Sequence, residues 1–205
     1  MNFDKKSALS RSVKVQSATK SLVLIPIAVG INLIGGTLCS TLKLPLFLDM
    51  IGTIVIAVLS GPWVAALCGL LTNLFLALVA NPVYLPYALV SVLCGLVTGY
   101  LIKAGLFRNK FGVVVTWLAV TLTNTVSASL ITIFVYGGAT GVNSTSLVTA
   151  ALLATTKKIM FSVFSSSMVE NLIDKAIVFV IAYLIIQRIP KKFLSQYSSS
   201  LGDDD

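Results

Sequence analysis

The amino-acid sequence predicts an all-α membrane protein, a compact bundle of six transmembrane helices with both the N-terminus and the C-terminus in the cytoplasm. Two observations predict this class. Of the 205 residues, 57% are hydrophobic and 11% are charged, whereas about 25% are charged in an ordinary soluble domain. Residues 50–102 contain no Asp, Glu, Lys or Arg, and a helix of that length extends roughly 80 Å, more than twice the ~30 Å hydrocarbon core of a bilayer.

Apolar segments follow one another along the chain and are separated by residues that end helices. A basic tail is predicted over residues 1–20, one transmembrane domain over 21–189, and a second tail over 190–205. Both tails are expected in the cytoplasm. Gly61-Pro62 and Asn81-Pro82 are strong helix breakers and delimit the third span. The predicted spans are residues 21–39, 46–60, 63–80, 84–102, 111–136 and 168–189.

The segment between the fifth and sixth spans is apolar but contains Lys157 and Lys158. If it crossed the membrane, two lysines would lie in the bilayer, and the lysines of the C-terminal tail would lie outside the cell. We therefore expect an outer loop helix over about residues 147–164. It would form either a helix on the outer face or a re-entrant segment.

The basic residues predict the orientation of the bundle. With six spans, both tails and the loop around Arg108 lie on one side, which holds 11 of the 15 basic residues. Cytoplasmic loops of membrane proteins are enriched in Lys and Arg, so this side is predicted to be the cytoplasm. The formal net charge of +8 is interpreted in the same way. The expected partner of these charges is the lipid bilayer and not a nucleic acid.

The remaining ionisable residues collect at the outer ends of the predicted helices. Ionisable groups at membrane depth are costly and usually face a cavity or one another, which predicts a polar pocket that opens to the outside. Glu170 and Asp174 are four residues apart and share a helix face, so their carboxylates need partners. Lys157, Lys158 and Lys175 are the nearest basic residues in the sequence.

Each acidic residue also has a structural interpretation. Asp49 precedes an apolar helix and is a possible N-cap. Ser167 and Glu170 have the spacing of a capping box. Asp174 with Lys175 is a possible interfacial charge pair. The sequence leaves capping and substrate contact open for these residues.

Amides and tyrosines complete the predicted pocket. Amides inside spans usually join helices by hydrogen bonds, and tyrosines near a boundary usually belong to an aromatic belt. The alternatives are ligand binding by the amides and stacking of a ring-shaped solute on the tyrosines. The predicted substrate-binding residues are Asp49, Asn73, Tyr84, Tyr87, Asn124, Lys157, Lys158, Glu170, Asn171 and Asp174.

The chain contains no histidine and no G-x-x-x-x-G-K-[ST] phosphate loop. Mechanisms that need an imidazole base, and ATP binding through that loop, are therefore excluded. Cys39, Cys68 and Cys94 are isolated in apolar segments without a C-x-x-C pair, which favours buried apolar side chains over a metal or redox site. We expect no enzymatic activity, no metal and no cofactor.

Several of these segments resemble the substrate-binding S components of energy-coupling factor (ECF) vitamin transporters. The resemblance covers about residues 20–193. It is carried by LPLFLDMIGTIVIAVLSGP (44–62), GLLTNL (69–74), NPVYLPYALVSVLCGLVTGYL (81–101) and ENLIDKAIVFVIAYLIIQRIPKK (170–192). It implies a multi-pass protein of the bacterial cell membrane that binds a vitamin with high affinity in an outward-facing pocket.

The resemblance also implies partners and a mechanism. S components associate with a transmembrane EcfT subunit and two cytoplasmic ATPase subunits, and they release the vitamin by toppling in the membrane. Docking commonly uses an Ala-x-x-x-Ala motif in the first helix. The nearest string here is Ala28-Val-Gly30-Ile-Asn32, which matches only the first alanine. The predicted docking residues are therefore Ala28, Gly30 and Asn32.

The LPLFLD…GP and E-x-x-x-D-K segments are most similar to those of the S components associated with cobalamin or related large vitamins. The resemblance therefore implies a substrate of that class. Riboflavin, other vitamins and nucleoside-like solutes remain open. Two other classes are possible. One is a small secondary transporter or channel driven by an ion gradient. The other is an intramembrane enzyme that uses Asp49, Glu170 and Asp174 as acids and bases.

Overall fold

The computed structural model describes residues 3–190, with side chains described from residue 22 onward. This part of the chain is entirely helical, which confirms the predicted all-α class for the residues described. Residues 191–205, most of the predicted C-terminal tail, lie outside them. The helices are α1 (Phe3–Thr41), α2 (Ile51–Ser60), α3 (Pro62–Val79), α4 (Tyr84–Lys103), α5 (Lys110–Phe134), α6 (Thr145–Thr156) and α7 (Ile159–Arg188).

Within the described residues, four helical segments are long and apolar enough to cross a membrane. They are residues Leu22–Thr41 of α1 and the whole of α3, α4 and α5. Helix α2 has 10 residues, or about 15 Å, half of a ~30 Å hydrocarbon core. Helix α7 has 30 residues but carries Glu170, Asp174 and Lys175 in its middle. The number of spans and the side of each terminus stay predictions.

Helices α2 and α3 form a broken pair that packs against α4. Gly61 joins them with a positive φ of 81°, a conformation that favours glycine, and Pro62 is the first residue of α3. Gly99 of α4 allows the junction to approach closely, because a Cβ atom at this position would lie 2.3 Å from Pro62 Cα. The break predicted at Gly61-Pro62 is therefore a packed corner of the bundle.

Helix α6 folds back along the first half of α7. The reversal is made by Lys157, which has a left-handed φ of 55°, and by Lys158, which is extended. The two helices then lie antiparallel, with Thr149 hydrogen-bonded to Ser166 at 2.6 Å. The segment 147–164 is thus divided between two helices, and α7 begins nine residues before the predicted start of the last span at residue 168.

Asn32 of α1 joins the first three helices. Its side-chain nitrogen donates to the hydroxyls of Thr53 at 2.9 Å and Thr72 at 3.0 Å, and its oxygen accepts from the backbone N–H of Gly52 at 2.7 Å. Gly52 lies in the first turn of α2, where backbone N–H groups need acceptors from outside the helix. Asn32 therefore caps α2 from a neighbouring helix.

An apolar layer fills the middle of the bundle between α2, α4, α5 and α7. Its buried members pack as one cluster, and the polar cavity described below lies on one side of it. The layer consists of Met50, Ile51, Ile54, Val90, Cys94, Val120, Val178, Phe179 and Ala182.

Candidate functional site: a polar cavity at one end of the bundle

A polar cavity lies at the end of the bundle where α3 finishes, α4 begins and α5 finishes. It encloses about 780 Å³ of space free of atoms, counted out to its open mouth. Helices α3, α4, α5 and α7 form its walls, together with the α1–α2 segment and the α5–α6 loop. The loop residues that line it are Gly138, Ala139, Thr140, Val142 and Asn143. This loop is thus part of the site.

A buried ion cluster lies where α7 meets the α1–α2 segment. Lys175 Nζ is 2.6 Å from Asp174 Oδ2 and 3.9 Å from Asp49 Oδ1. Asp174 Oδ1 accepts the backbone N–H groups of Phe47 and Leu48, both at 2.9 Å. Asp174 is fully buried and does not line the cavity, whereas Asp49 and Lys175 do. Asp174 therefore fixes the α1–α2 segment against α7 and holds Lys175 in place.

Glu170 lines the cavity one helical turn before Asp174. Its Oε1 atom accepts hydrogen bonds from the Asn143 side chain and from the Thr145 hydroxyl, the latter at 2.7 Å. Among the described residues, no side chain donates to its Oε2 atom. Both donors belong to the α5–α6 loop and the start of α6, so Glu170 joins this loop to α7 and keeps one oxygen available.

Amide side chains line the opposite part of the cavity. Asn124 of α5 donates to Asn171 of α7 at 2.6 Å, and Asn171 donates onward to the Ser167 carbonyl at 2.9 Å. Asn73 of α3 donates to Ser91 of α4 at 2.6 Å. The Asn124–Asn171 and Asn73–Ser91 bonds each join two neighbouring helices, and the bond from Asn171 to the Ser167 carbonyl lies within α7. The default interpretation, helix–helix hydrogen bonding, therefore holds for the nitrogens of Asn73 and Asn124, whereas the Asn171 nitrogen bonds within α7. All three side chains also line the cavity.

Aromatic rings form one wall. Tyr87 lies parallel to Tyr136, with ring centroids 6.0 Å apart and an interplanar angle of 2°. The Tyr87 hydroxyl bonds Thr132 at 2.6 Å, and the Tyr136 hydroxyl donates to the Val83 carbonyl at 3.0 Å. Tyr84 is buried and also lines the cavity. The contacts with Tyr136 and Thr132 hold the Tyr87 ring in place, and Tyr84 and Tyr87 make aromatic contacts available to a bound ring.

The α1–α2 segment and the α5–α6 loop are tied to each other beside the cavity. Lys43 Nζ donates to the Val142 carbonyl at 3.2 Å, and the Ser144 hydroxyl donates to the Lys43 carbonyl. Lys43 itself is exposed and has a positive φ of 53°. Its ammonium group is thus bound to a backbone carbonyl of the loop.

The structure brings most of the predicted site residues together. Those that line the cavity are Asp49, Asn73, Tyr84, Tyr87, Asn124, Glu170 and Asn171. Lys157 and Lys158 do not line it, because they form the exposed turn between α6 and α7. Of the lysines predicted to pair with the acidic residues, only Lys175 does so, with Asp174 and Asp49. The partners of Glu170 are Asn143 and Thr145, which are neutral.

Both capping interpretations are wrong. The N-cap of α2 is Met50, and the external hydrogen bond to its first turn comes from Asn32 and not from Asp49. Ser167 and Glu170 lie inside α7, which begins at Ile159, so they cannot form a capping box at its start. The sequence suggested these caps because the spacing matches, but spacing alone does not fix where a helix begins.

The predicted docking residues are used largely inside the bundle. Ala28 is buried, and its carbonyl oxygen would lie 2.0 Å from a Cβ atom at Gly52. Asn32 is fully buried in the network with Thr53 and Thr72. Only Gly30 has open space beside its Cα atom. Ala28 and Asn32 therefore lie against α2 and α3 and do not form an accessible face of α1.

From the segment between the fifth and sixth spans, sequence reasoning named only Lys157 and Lys158 and missed the side chains that line the cavity. Asn143, Thr145 and Thr149 line the cavity, yet the segment around them reads as an ordinary Gly/Ser/Thr/Asn-rich loop. A usable signal was present, since Thr145 and Thr149 are four residues apart, as are Ser166 and Glu170, and the two pairs face each other. In the part of the chain that the structure describes, no three His, Cys, Asp or Glu side chains converge as metal ligands.

The sequence model of the family described as ECF transporter, substrate-specific component, matches residues 20–186. This match covers most of the chain and confirms the resemblance seen in the segments around Asp49 and Glu170. Searches of curated proteins and of solved structures gave no match. The family description identifies a transporter subunit with a small-molecule substrate and does not extend to the identity of that substrate.

Proposed function

The chain belongs to the family of ECF transporter substrate-specific components, and we propose on this basis that its cavity captures a vitamin-sized molecule with high affinity. The observation that carries the proposal is the cavity itself. It is a partly enclosed space within a membrane-type helical bundle, lined by both polar and apolar side chains, as is typical of small-molecule sites. Its wall carries carboxylate, amide and aromatic groups that can orient a ligand.

The position of the cavity supports capture from outside the cell. It lies at the end of the bundle where α4 begins and α5 finishes. The basic loop around Arg108 joins the other ends of these helices, and Arg188 ends α7. Since positively charged loops favour the cytoplasm, the cavity mouth is expected on the outer side of a multi-pass protein of the bacterial cell membrane.

The apolar layer beneath the cavity supports delivery by movement of the whole subunit. Ile54, Val120 and Val178 are fully buried there, so apolar side chains border the cavity on this side. An ion channel or a carrier with a central passage needs polar groups along its path. Toppling of the bundle on an EcfT-like subunit, powered by two ATPase subunits, releases the ligand without opening this layer.

The exposed face of α1 is the proposed docking surface for the EcfT-like subunit. Val23, Ile27, Ile34 and Leu38 are each more than half exposed, and Gly30 lies among them with open space beside it. This stripe replaces the string Ala28–Asn32 as the proposed contact, because Ala28 and Asn32 are buried. Helix association in membranes depends on close packing along such faces.

The cobalamin assignment stays a prediction from resemblance. Cobalamin therefore serves as the first competitor in a binding test.

Native mass spectrometry of gently solubilised protein tests the proposal. A retained ligand of vitamin size, at one per chain, is the expected result. Affinity purification from the native membrane should also recover a membrane subunit and two ATPases. In proteoliposomes the chain alone should bind this ligand in stoichiometric amount without accumulating it. Accumulation driven by a proton or sodium gradient would support a secondary transporter instead.

Thiol labelling tests the orientation. Lys157→Cys should react with a membrane-impermeant reagent added to intact cells, and Arg108→Cys should react only after the cells are opened. Labelling of Arg108→Cys from outside would contradict the proposed sidedness. The native cysteines Cys39, Cys68 and Cys94 are buried, so they give little background.

A further inference from the structure

More negative than positive side chains line the cavity. Two carboxylates, Asp49 and Glu170, and one ammonium group, Lys175, line it. Lys175 is already engaged by Asp174 at 2.6 Å and lies 3.9 Å from Asp49, so its charge is offset within the protein. Lys43, beside the loop, is bound to the Val142 carbonyl. Among the described residues that line the cavity, no cation is without a carboxylate partner.

Both carboxylates in the wall have unused acceptor capacity. Within residues 22–190, no side chain donates a hydrogen bond to the Asp49 carboxylate, whose nearest cation is Lys175. Glu170 uses Oε1 for both Asn143 and Thr145 and keeps Oε2. Asn73, which also lines the cavity, uses its nitrogen for Ser91 and Gly69, and within residues 22–190 no side chain donates to its oxygen. A ligand therefore meets acceptors that need donors.

The electrostatic consequence follows from desolvation. An anionic group brought into the cavity loses hydration and meets carboxylates without a free cation, which is strongly unfavourable. A cation or a neutral N–H donor instead completes the hydrogen bonds that Asp49 and Glu170 lack. Tyr84 and Tyr87 line the cavity, so aromatic contacts are available to a planar ligand, and a cationic ring gains further from an aromatic neighbour.

We infer that the substrate of this chain is a planar heteroaromatic compound that carries amino groups or a protonated ring nitrogen and no carboxylate or phosphate. Asp49 and Glu170 are its specificity-determining residues and accept hydrogen bonds from it. The inference rests on the proposed function, since it names the substrate class of the same cavity.

Matched pairs of small probes test the charge requirement directly. Nicotinamide and nicotinate share a ring and differ in carrying an amide or a carboxylate, and 2,4-diaminopyrimidine supplies a donor-rich ring that is readily protonated. Calorimetric titration of the purified full chain should show 2,4-diaminopyrimidine binding most tightly and nicotinate least. Tighter binding of nicotinate than of nicotinamide would overturn the inference.

Variants then locate the effect. Asp49→Asn and Glu170→Gln keep the size of each side chain and remove its charge, so the affinity for 2,4-diaminopyrimidine should fall roughly 10- to 150-fold, as expected when a charge-assisted hydrogen bond is lost. Discrimination against nicotinate should weaken in the same variants. Lys157→Gln, which removes an exposed charge outside the cavity, is the matched control and should change neither value. Unchanged affinity in both cavity variants would contradict the assignment of these residues.

The ligand retained in native mass spectrometry separates this inference from the proposed function. A retained vitamin-sized anion would leave the function standing and overturn the charge requirement. A retained donor-bearing, non-anionic ring would support both. The proposed function itself would be contradicted by three results together. The chain would retain no ligand, it would bind neither the probes nor the common vitamins, and no membrane or ATPase subunit would co-purify with it.

Discussion

The polar groups around Asn32 and those around the cavity differ in how much hydrogen-bonding capacity they leave unused. Around Asn32, the amide nitrogen and oxygen are paired with Thr53, Thr72 and the Gly52 N–H, and the cluster is closed. Around the cavity, Asp49 and Glu170 keep carboxylate oxygens without side-chain donors in the described part of the chain. Buried polar groups are normally satisfied, so carboxylate oxygens that line a cavity and lack side-chain donors point to a ligand.

This difference separates polar residues that build the bundle from those that serve its function. Asn32 fixes α2 against α1 and α3, and Asp174 fixes the α1–α2 segment against α7. The carboxylate of Asp49 makes no such link apart from its ion pair with Lys175. Mutations in the closed cluster should therefore change stability, whereas mutations in the open cluster should change ligand affinity.

The largest effect is expected for Asp174→Leu, which leaves Lys175 buried without its closest partner. Removing one member of a buried ion pair costs about 3–5 kcal/mol, and two backbone N–H groups lose their acceptor as well. Unfolding in mixed detergent–SDS micelles measures the loss. The double variant Asp174→Leu with Lys175→Met removes both charges and should recover part of the stability. A double variant no more stable than the single one would show that the ion pair is not the cause.

Ala128→Trp should abolish ligand binding and leave the fold intact. Ala128 lines the cavity from α5, and an indole at this position fills space that the ligand needs. We expect the affinity for the retained ligand to fall at least ~100-fold, or about 2.7 kcal/mol. Ala150→Trp, on the exposed side of α6, is the matched control. Full binding by Ala128→Trp, with normal unfolding, would place the ligand elsewhere.

Asn32→Ala should destabilise the bundle by about 2 kcal/mol, because Thr53, Thr72 and the Gly52 N–H lose a shared partner in an apolar environment. Thr37→Ala is a control on the same helix, since the Thr37 hydroxyl bonds only carbonyls of α1. The same unfolding assay applies. Equal stability of the two variants would mean that the Asn32 network contributes nothing to the packing of α2.

The smallest effect is expected at the α6–α7 turn. Lys157→Gln and Lys158→Gln remove exposed charges that do not line the cavity, so stability should change by less than about 0.5 kcal/mol. Ligand affinity should stay within about twofold of that of the unmodified protein. A tenfold loss of affinity in either variant would show that these lysines contribute to the binding site.

The lengths of the apolar segments and the positions of helix-breaking residues made much of the fold predictable, because a bilayer restricts spans to apolar stretches of defined length. The break at Gly61-Pro62 is such a case. The α6–α7 reversal was not predictable, because it occurs at a lysine with a left-handed backbone and not at glycine or proline. The donors to Glu170 were missed for a related reason, since only this reversal places α6 beside α7.

Predicting the roles of polar residues was harder than predicting their depth. Asp49, Glu170, Asp174 and Lys175 come together as expected from their position at the predicted outer ends of helices. Which of them faces the ligand depends on side-chain partners, and sequence spacing contains no such information. Asn32 was expected at a docking surface because it lies near the alanine of a motif, yet its neighbours Thr53 and Thr72 make it part of the interior.

The most direct test of the account compares Asp49→Asn with Asn32→Ala in parallel, with the affinity for the retained ligand and the free energy of unfolding measured on the same preparations. The account predicts opposite outcomes. Asp49→Asn should bind roughly 10- to 150-fold more weakly with nearly unchanged unfolding. Asn32→Ala should lose about 2 kcal/mol of stability with an affinity within about twofold of the unmodified protein. Loss of stability without loss of affinity in Asp49→Asn would contradict the distinction between the two clusters.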